Sequence, residues 1–346
     1  MTSQLEREIL DQPAALARLL DAERPHLAAL GARLRAMDLR YVTLAARGTS
    51  DNAGLYAKYL LASSLGLPVA LATPSLYTLY GTPPRLRDTL VIGISQSGES
   101  IDIIAVMEEA RRQGAPTLAL VNDTASAMAR VADHVIDLHA GPERAVAATK
   151  TYTTSLGALA ALAVAMGGRN LREADLLAMP GHLSRALETA PAAAAVAASL
   201  KDVDDVIVAG RGFNLATAHE IAIKLKELTY THAEPTSSAD FLHGPIAILD
   251  RRYTVIAIAP TGVLLPNQRE FIARAAGRQA RVVAISDDAG VLAEATAALR
   301  LPAGVPEWLS PLTAVLPGQL IALRLTEARG LNVDAPRAIS KVTKTL

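Results

Sequence analysis

The chain repeats itself at a single offset of 164 residues, the step from Arg47 to Arg211. Arg47-Gly48 pairs with Arg211-Gly212, and each follows a short β-like run, Tyr41-Val42-Thr43-Leu44 or Val206-Ile207-Val208. Val91-Ile92-Gly93-Ile94 pairs with Val255-Ile256-Ala257-Ile258, and Ser97-Gly98 with Thr261-Gly262. Leu118-Ala119-Leu120-Val121 pairs with Val282-Val283-Ala284-Ile285, and Asp123 with Asp287. Chance rarely aligns three strand-like segments at one offset. Two units are too few for a solenoid, so the pattern reads as two copies of one domain.

Each copy alternates short β-rich runs with longer helical stretches. The first has strands near 41–46, 68–72, 89–94, 117–121 and 134–138, with helices near 52–65 and 100–113. The second has strands near 205–209, 253–258, 281–285 and 298–301. Such alternation calls for a parallel sheet covered by helices on both faces. The Ala-rich segments 145–168 and 183–200 read as helices linking the copies, with Pro142 and Pro180-Gly181 at their approaches. The expected fold is therefore α/β, with two tandem doubly wound, flavodoxin-like parallel-sheet domains. Residues 1–170 would hold an amino-terminal helix and the first domain, and 195–330 the second. Residues 331–346 would form a tail closing the active site. Ligands of such sheets lie beyond the carboxyl ends of the strands.

Several function classes drop out early. Formal net charge is zero over 346 residues, so no basic face points to a nucleic-acid partner. There is no cysteine, which removes disulfides, thiolate metal sites and a cysteine nucleophile. The seven histidines show no HExxH-type spacing, so neither a metal nor another cofactor is expected. No apolar run is long enough to span a bilayer. Residues 1–24 carry Glu6, Glu8, Asp11 and Asp21 and no hydrophobic leader segment, so a soluble, cytoplasmic chain is expected. Only seven of the 34 basic residues are lysines, among them the close pairs 224/226 and 341/344. In an Arg-rich chain a Lys can mark a need for an amine of adjustable charge.

The strand ending at Ile94 opens into Ser95-Gln96-Ser97-Gly98-Glu99-Ser100 and then a helix. The amides of a helix start, with added Ser hydroxyls, make an anion site of neutral donors suited to a sugar phosphate. The same residues would also serve as an ordinary turn with Ser97 or Ser100 as N-cap. In the second copy this stretch becomes Ala259-Pro260-Thr261-Gly262-Val263, and most donors are lost. Phosphate binding is therefore expected in the first copy alone.

Chemistry in the second copy centres on a helix running from His219 to Leu228. Glu220, Lys224 and Glu227 share one face beside an apolar stripe of Ile221, Leu225 and Leu228. This is either a surface helix with one stabilising Glu–Lys pair or a carboxylate base tuned by an ammonium, with Glu227 the better base candidate. A loop over Thr231-His232-Ala233-Glu234-Pro235 runs on to His243-Gly244-Pro245, a stiff turn presenting an imidazole; His232 reads as structural. The tail from Asn332 to Lys344 holds Pro336 and two of the rare lysines, so it reads as packed. Lys341 would then be an amine able to form a Schiff base.

These pieces together resemble the sugar isomerase (SIS) family. They are Arg47-Gly48-Thr49-Ser50, Ser95–Ser100, Ala147-Ala148-Thr149-Lys150, Leu225-Lys226-Glu227, His232-Ala233-Glu234, His243-Gly244-Pro245 and Asp334-Ala335-Pro336-Arg337. The likeness runs from about residue 25 onward. It is nearest to the isomerase half of glucosamine-6-phosphate synthase and to the stand-alone type II glucosamine-6-phosphate deaminases.

The resemblance implies that Thr49, Ser50, Ser95, Gln96, Ser97 and Ser100 hold the phosphate and nearby sugar hydroxyls, with Val146 and Ser340 also lining the substrate. It implies Glu227 as the proton shuttle between C1 and C2, with Lys224 in support and Glu220 orienting the site. His243 would open the sugar ring, reaching in from the neighbouring subunit of a homodimer with a shared active site. Lys341 would form the imine with the open-chain ketose.

No glutaminase domain is expected, so the nitrogen would be free ammonia. Phe241-Leu242 and Ala148 depart from the synthase pattern and argue in the same direction. The expected function is thus a phosphosugar isomerase and deaminase acting on glucosamine 6-phosphate or fructose 6-phosphate. An isomerising transaminase, a deglycase of sugar–amino acid 6-phosphates and a non-catalytic phosphosugar sensor are the alternatives. A sensor would not need Glu227, His243 and Lys341. A dinucleotide enzyme is excluded because Leu215 stands at the third-glycine position after Gly210-Arg211-Gly212.

Overall fold

A computed structural model describes residues 2–341. Lys344 and the last residues of the expected closing tail lie outside the described residues. The first half carries strands β1 (Tyr41–Ala45), β2 (Val69–Leu71), β3 (Thr89–Ser95), β4 (Thr117–Val121) and β5 (His134–Asp137). Its helices are α1 (Gln4–Leu10), α2 (Gln12–Arg35), α3 (Thr49–Leu65), α4 (Ser75–Thr78), α5 (Ile101–Arg112), α6 (Ala127–Val131) and α7 (Lys150–Ala165). Three helices follow, α8 (Glu173–Leu177), α9 (Met179–Leu187) and α10 (Ala190–Ser199). The second half has strands β6 (Asp205–Gly210), β7 (His232–Ser237), β8 (Thr254–Ile258), β9 (Arg281–Ser286) and β10 (Ala297–Arg300). With them run α11 (Leu215–Thr229), α12 (Ser238–Leu242), α13 (Leu265–Gly277), α14 (Ala289–Glu294) and α15 (Ser310–Ala328).

Both sheets are five-stranded and wholly parallel. The first has the order β2-β1-β3-β4-β5 and the second β7-β6-β8-β9-β10. Each is therefore the doubly wound order 2-1-3-4-5, in which the chain reverses direction of travel between the first and third strands. The central strands β3, β4 and β8 are buried along their whole length, because helices cover both faces. The tandem α/β architecture expected from the repeat is the one observed.

One local expectation is corrected. Residues 232–237 form an edge strand, not a loop. Pro235 obscured it, and an edge position tolerates a proline because one side of the strand needs no partner.

The chain divides into two compact units that do not follow a single cut. The first-sheet unit comprises Ala14–Glu143, Lys150–Leu177 and the chain from Ser340 on. The second-sheet unit takes the residues up to Pro13, Arg144–Thr149 and Ala178–Ile339. In the second-sheet unit, Leu5 and Ile9 of α1 enter a core with Val208, Ile221, Leu225, Ile256 and Leu320. Asp334 accepts the backbone N–H groups of Gln4 and Leu5 at 2.9 Å each, and Ser3 caps the same helix through Glu6 N–H. In the first-sheet unit α7 is almost wholly buried, with Lys150 and a run of hydroxyl side chains in its first turns and small apolar residues from Leu156 on.

The turn after β3 is set by Gly98, whose φ is +64° and whose absent Cβ leaves room for Ser126. A Cβ there would lie 2.1 Å from Ser126 Oγ and 2.5 Å from its Cβ. The N–H of Met128 then reaches Gly98 O at 2.9 Å, tying the turn to α6. Gly98→Ala should cost about 1–3 kcal/mol from overpacking, with the left-handed backbone adding about 1–2 kcal/mol. Gly66→Ala, left-handed in open space, should show only the second effect. Equal urea midpoints for the two variants would contradict this account.

Candidate active site

In the first-sheet unit, β1 and β3 are neighbours in register, with Leu44 beside Ile92 and Ala45 beside Gly93. The segments leaving their carboxyl ends, Arg47–Ser50 and Gln96–Ser100, therefore start side by side at the switch point. Each leads into a helix start, α3 or α5. This brings Thr49, Ser50, Ser95, Gln96, Ser97 and Ser100 to one edge of one sheet. Ser95 is buried, and its Oγ accepts the Gly98 N–H at 3.1 Å and lies 3.4 Å from Ser100 Oγ. Ser97 Oγ accepts the Glu99 N–H at 3.3 Å. Ser100 is the N-cap of α5 by backbone conformation, yet its side chain makes no capping bond to that helix. Two hydroxyls thus brace the turn, and Ser100 stands over the helix start.

The switch point of the second sheet has the same topology and different chemistry. Leu264 packs where a Cβ on Gly212 would sit, at 2.5 Å. The Thr261 N–H donates to Asp287 Oδ1 at 2.7 Å, and the Val263 N–H to Glu307 Oε2 at 3.0 Å. Carboxylates of the chain itself already occupy backbone donors there, and another anion would meet them.

The carboxyl tail brings a lysine into the first-sheet unit. Lys341 Nζ lies 2.9 Å from Oε2 of Glu143, whose side chain is fully buried. The same carboxylate accepts the N–H and Oγ1 of Thr151 at 3.0 and 2.7 Å. Ser340 precedes Lys341 and is exposed. Glu143 was not foreseen, although two signals mark it. It is the only acidic residue between Asp137 and Glu173, and the 164-residue offset pairs Pro142-Glu143 with Pro306-Glu307.

In the second-sheet unit, α11 holds the second cluster. Lys224 is 1% exposed and bridges Glu227 at 2.7 Å and Glu220 at 3.6 Å. Glu220 is fully buried, whereas Glu227 keeps 24% of its side chain open. The helical spacing was legible; the burial of the pair was not, because Glu-Ile-Ala-Ile-Lys suits a surface helix equally well. The arrangement leaves one carboxylate facing outward from a buried ammonium, whose hydrogen bond fixes its orientation.

His243 follows α12, is exposed, and is oriented by its N–H to Asp240 O at 3.0 Å and by Gly244 at φ +135°. Val146 lies half-buried in the 144–149 segment, a loop and not the helix expected there. That loop is held by Glu8 of α1, a buried carboxylate accepting Arg144 N–H at 2.6 Å and Ala145 N–H at 3.2 Å. Among the described residues no helix is long and apolar enough to cross a membrane, and no group of three or more His, Asp or Glu could hold a metal ion.

Comparison with known proteins agrees with this frame. The SIS domain matches twice, at residues 39–165 and 199–327. The isomerising glutamine–fructose-6-phosphate aminotransferase of Thermococcus kodakarensis is 35% identical over 97% of this chain, which spans 57% of that relative. A Silicibacter pomeroyi structure assigned as a phosphosugar isomerase is 34% identical, with a TM-score of 0.85 over 96% of this chain and all of the other. The C-terminal domain of the glucosamine-fructose-6-phosphate aminotransferase of Francisella tularensis is 25% identical, with a TM-score of 0.85, covering 97% of this chain and 99% of that domain. Two parallel-sheet units with a donor-rich switch point define a double-domain sugar-isomerase architecture. The chain belongs to the SIS domain family.

The buried ion pair on α11 yields a stability test. Lys224→Met removes the cation beside buried Glu220 and should cost about 3–5 kcal/mol. Glu220→Gln with Lys224→Met should recover much of that loss, since two neutral groups replace an isolated charge. A single variant as stable as the parent to urea would show that the pair is solvated.

Proposed function

We propose that this chain is a phosphosugar isomerase and deaminase that converts glucosamine 6-phosphate and water to fructose 6-phosphate and ammonia, or runs the reverse reaction with free ammonia. The observation that carries the reading is the Glu220–Lys224–Glu227 chain, where a partly open carboxylate is held 2.7 Å from a buried ammonium. That is the group needed to take a proton from C2 of an open-chain aldose and return it at C1. The names of the relatives support a 6-phosphosugar as substrate.

In this reading, the hydroxyls, Gln96 side chain and amides after β1 and β3 bind the phosphate. Thr49, Ser50, Ser95, Ser97 and Ser100 are the hydroxyl donors. Val146 and Ser340 line the sugar, and the imidazole of His243 moves the ring proton so that C1 opens to an aldehyde. Glu227 then carries the proton from C2 to C1, which leaves an imine at C2. The amine of Lys341 adds to that carbon, ammonia leaves, and water releases the ketose and restores the lysine. Lys341 must first give up a proton, and Glu143 lies 2.9 Å away to take it. His243, exposed on this chain, serves the neighbouring subunit of a homodimer.

Incubation with glucosamine 6-phosphate should release ammonia and fructose 6-phosphate in equal amounts. Glu227→Gln should lower kcat about a hundredfold or more with little change in KM. Lys341→Arg should abolish turnover while sparing binding, because a guanidinium is a poor imine-forming nucleophile. Borohydride with substrate should attach the sugar to Lys341, as read by mass spectrometry. An active Lys341→Arg protein with no adduct would end the imine mechanism.

The asymmetry of the two switch points gives a separate test. Ser97→Ala should raise KM for the phosphosugar, whereas Thr261→Ala should do little; equal effects would refute it. For the shared site, mixing inactive Glu227→Gln and His243→Ala chains should restore part of the activity. No recovery after demonstrated subunit exchange would place His243 in the same chain's site.

A further inference from the structure

We propose that Arg47, held on the buried Asp102, is the cation of the phosphate cradle in the first-sheet unit and recognises the phosphate dianion of the sugar. The proposal rests on the phosphosugar reading above and adds a charged group to a site otherwise built of neutral donors.

Arg47 leaves the carboxyl end of β1, and Asp102 lies in the first turn of α5, just after the Ser95–Ser100 turn. Their strands are neighbours, and Arg47 Nε meets Asp102 Oδ2 at 2.7 Å. The Asp102 side chain is fully buried, while 52% of Arg47 stays open. Asp102 Oδ1 also accepts the Ile103 N–H at 2.9 Å, so the carboxylate is fixed within its own helix. Arg47 further opposes the upward push that burial gives the Asp51 carboxyl in the first turn of α3. Its charge thus bears on the first turns of both helices that follow the switch point.

A lone carboxylate in the first turn of α5 would oppose the very anion that the helix start favours. Pairing with Arg47 removes that opposition. It also fixes the guanidinium at Nε on a side chain that stays half-open, and the planar fork has four further N–H groups with which to meet an anion.

The duplication supplies the control. Arg211 stands at the place of Arg47, but Pro266 stands at the place of Asp102. The anchored arginine occurs only in the copy that keeps the Ser and Gln donors. The other copy fills its loop amides with Asp287 and Glu307. An arginine needed merely to neutralise Asp102 would make the opposite prediction from a ligand-facing one once both charges are removed.

The test is calorimetric titration of the full chain with inorganic phosphate and with fructose 6-phosphate at two salt concentrations. In Arg47→Met/Asp102→Asn, with folding verified by circular dichroism, both ligands should bind at least tenfold more weakly and with a shallower salt dependence. Affinities within twofold of the parent would overturn the proposal and leave the phosphosugar reading standing. If the parent binds neither ligand, that reading falls and this one with it.

A measurement on the unaltered protein covers the case in which the double variant does not fold. Phenylglyoxal labelling read by mass spectrometry should be slowed severalfold at Arg47 by saturating fructose 6-phosphate, with Arg211 unaffected. Arg47 labelled at the same rate with and without the sugar phosphate would overturn the proposal.

Discussion

The pairing of β1 with β3, and of β6 with β8, is the constraint from which the rest of the molecule follows. Both pairs join a first strand to a third, so each unit reverses its winding there and opens a cleft at the strand ends. Helices cover both faces of the sheets, which buries the central strands completely and confines their polar residues, Thr89, Ser95, Thr117 and Thr254, to the strand ends. Chemistry is therefore confined to the loops just past the strand ends, where backbone direction and helix dipoles are already set. A short stretch of sequence after β3 can then decide what a unit binds without any change in the core.

The two copies show how far such a frame can diverge. Strand order agrees throughout, and the registers of β1 with β2 and β3 recur in β6 with β7 and β8, yet one switch point offers hydroxyls and amides while the other turns two carboxylates on its own N–H groups. The equivalent glutamates make the contrast sharpest. Glu307 accepts the Val263 N–H beside its own switch point, whereas Glu143 receives Thr151 and Lys341. Carboxylates at equivalent positions of the repeat thus close a loop in one copy and hold an amine in the other. A duplicated fold can diverge in this way: one unit keeps a donor-rich turn, and the other carries the buried Glu220–Lys224 pair on α11.

The strands, the parallel order and the duplication were legible because they depend on periodicity and on one offset. The donor-rich turn was legible because Gly and Ser cluster after an apolar run. What escaped depends on tertiary partners. Nothing in Gln4–Leu10 tells that its apolar face joins the second-sheet core, because any amphipathic helix fits several sheets. Edge strand β7 was hidden by Pro235 and by its single fully buried position, Ala233. The burial of Glu220 and Lys224 was hidden because a Glu–Lys pair at this spacing is common on solvent faces. Asp102 drew no notice at all, since an acidic residue in a first helical turn is ordinary until its partner is known.

The choice of lysine over arginine ties these observations together. Arginine supplies 27 of the 34 basic residues of this chain, and at position 47 it pairs with Asp102 as a guanidinium. At 224 and 341 the cation is an ammonium within 3 Å of a carboxylate, 2.7 Å from Glu227 and 2.9 Å from Glu143. An ammonium so placed can hand a proton across one hydrogen bond and take it back, which a guanidinium cannot do at ordinary pH. Fixed charge suits recognition of an anion, and transferable charge suits bond making. The fold puts the arginine beside the helix start of one switch point, and the two lysines on α11 and the tail. The proposed separation of binding from chemistry rests on which basic residue stands where.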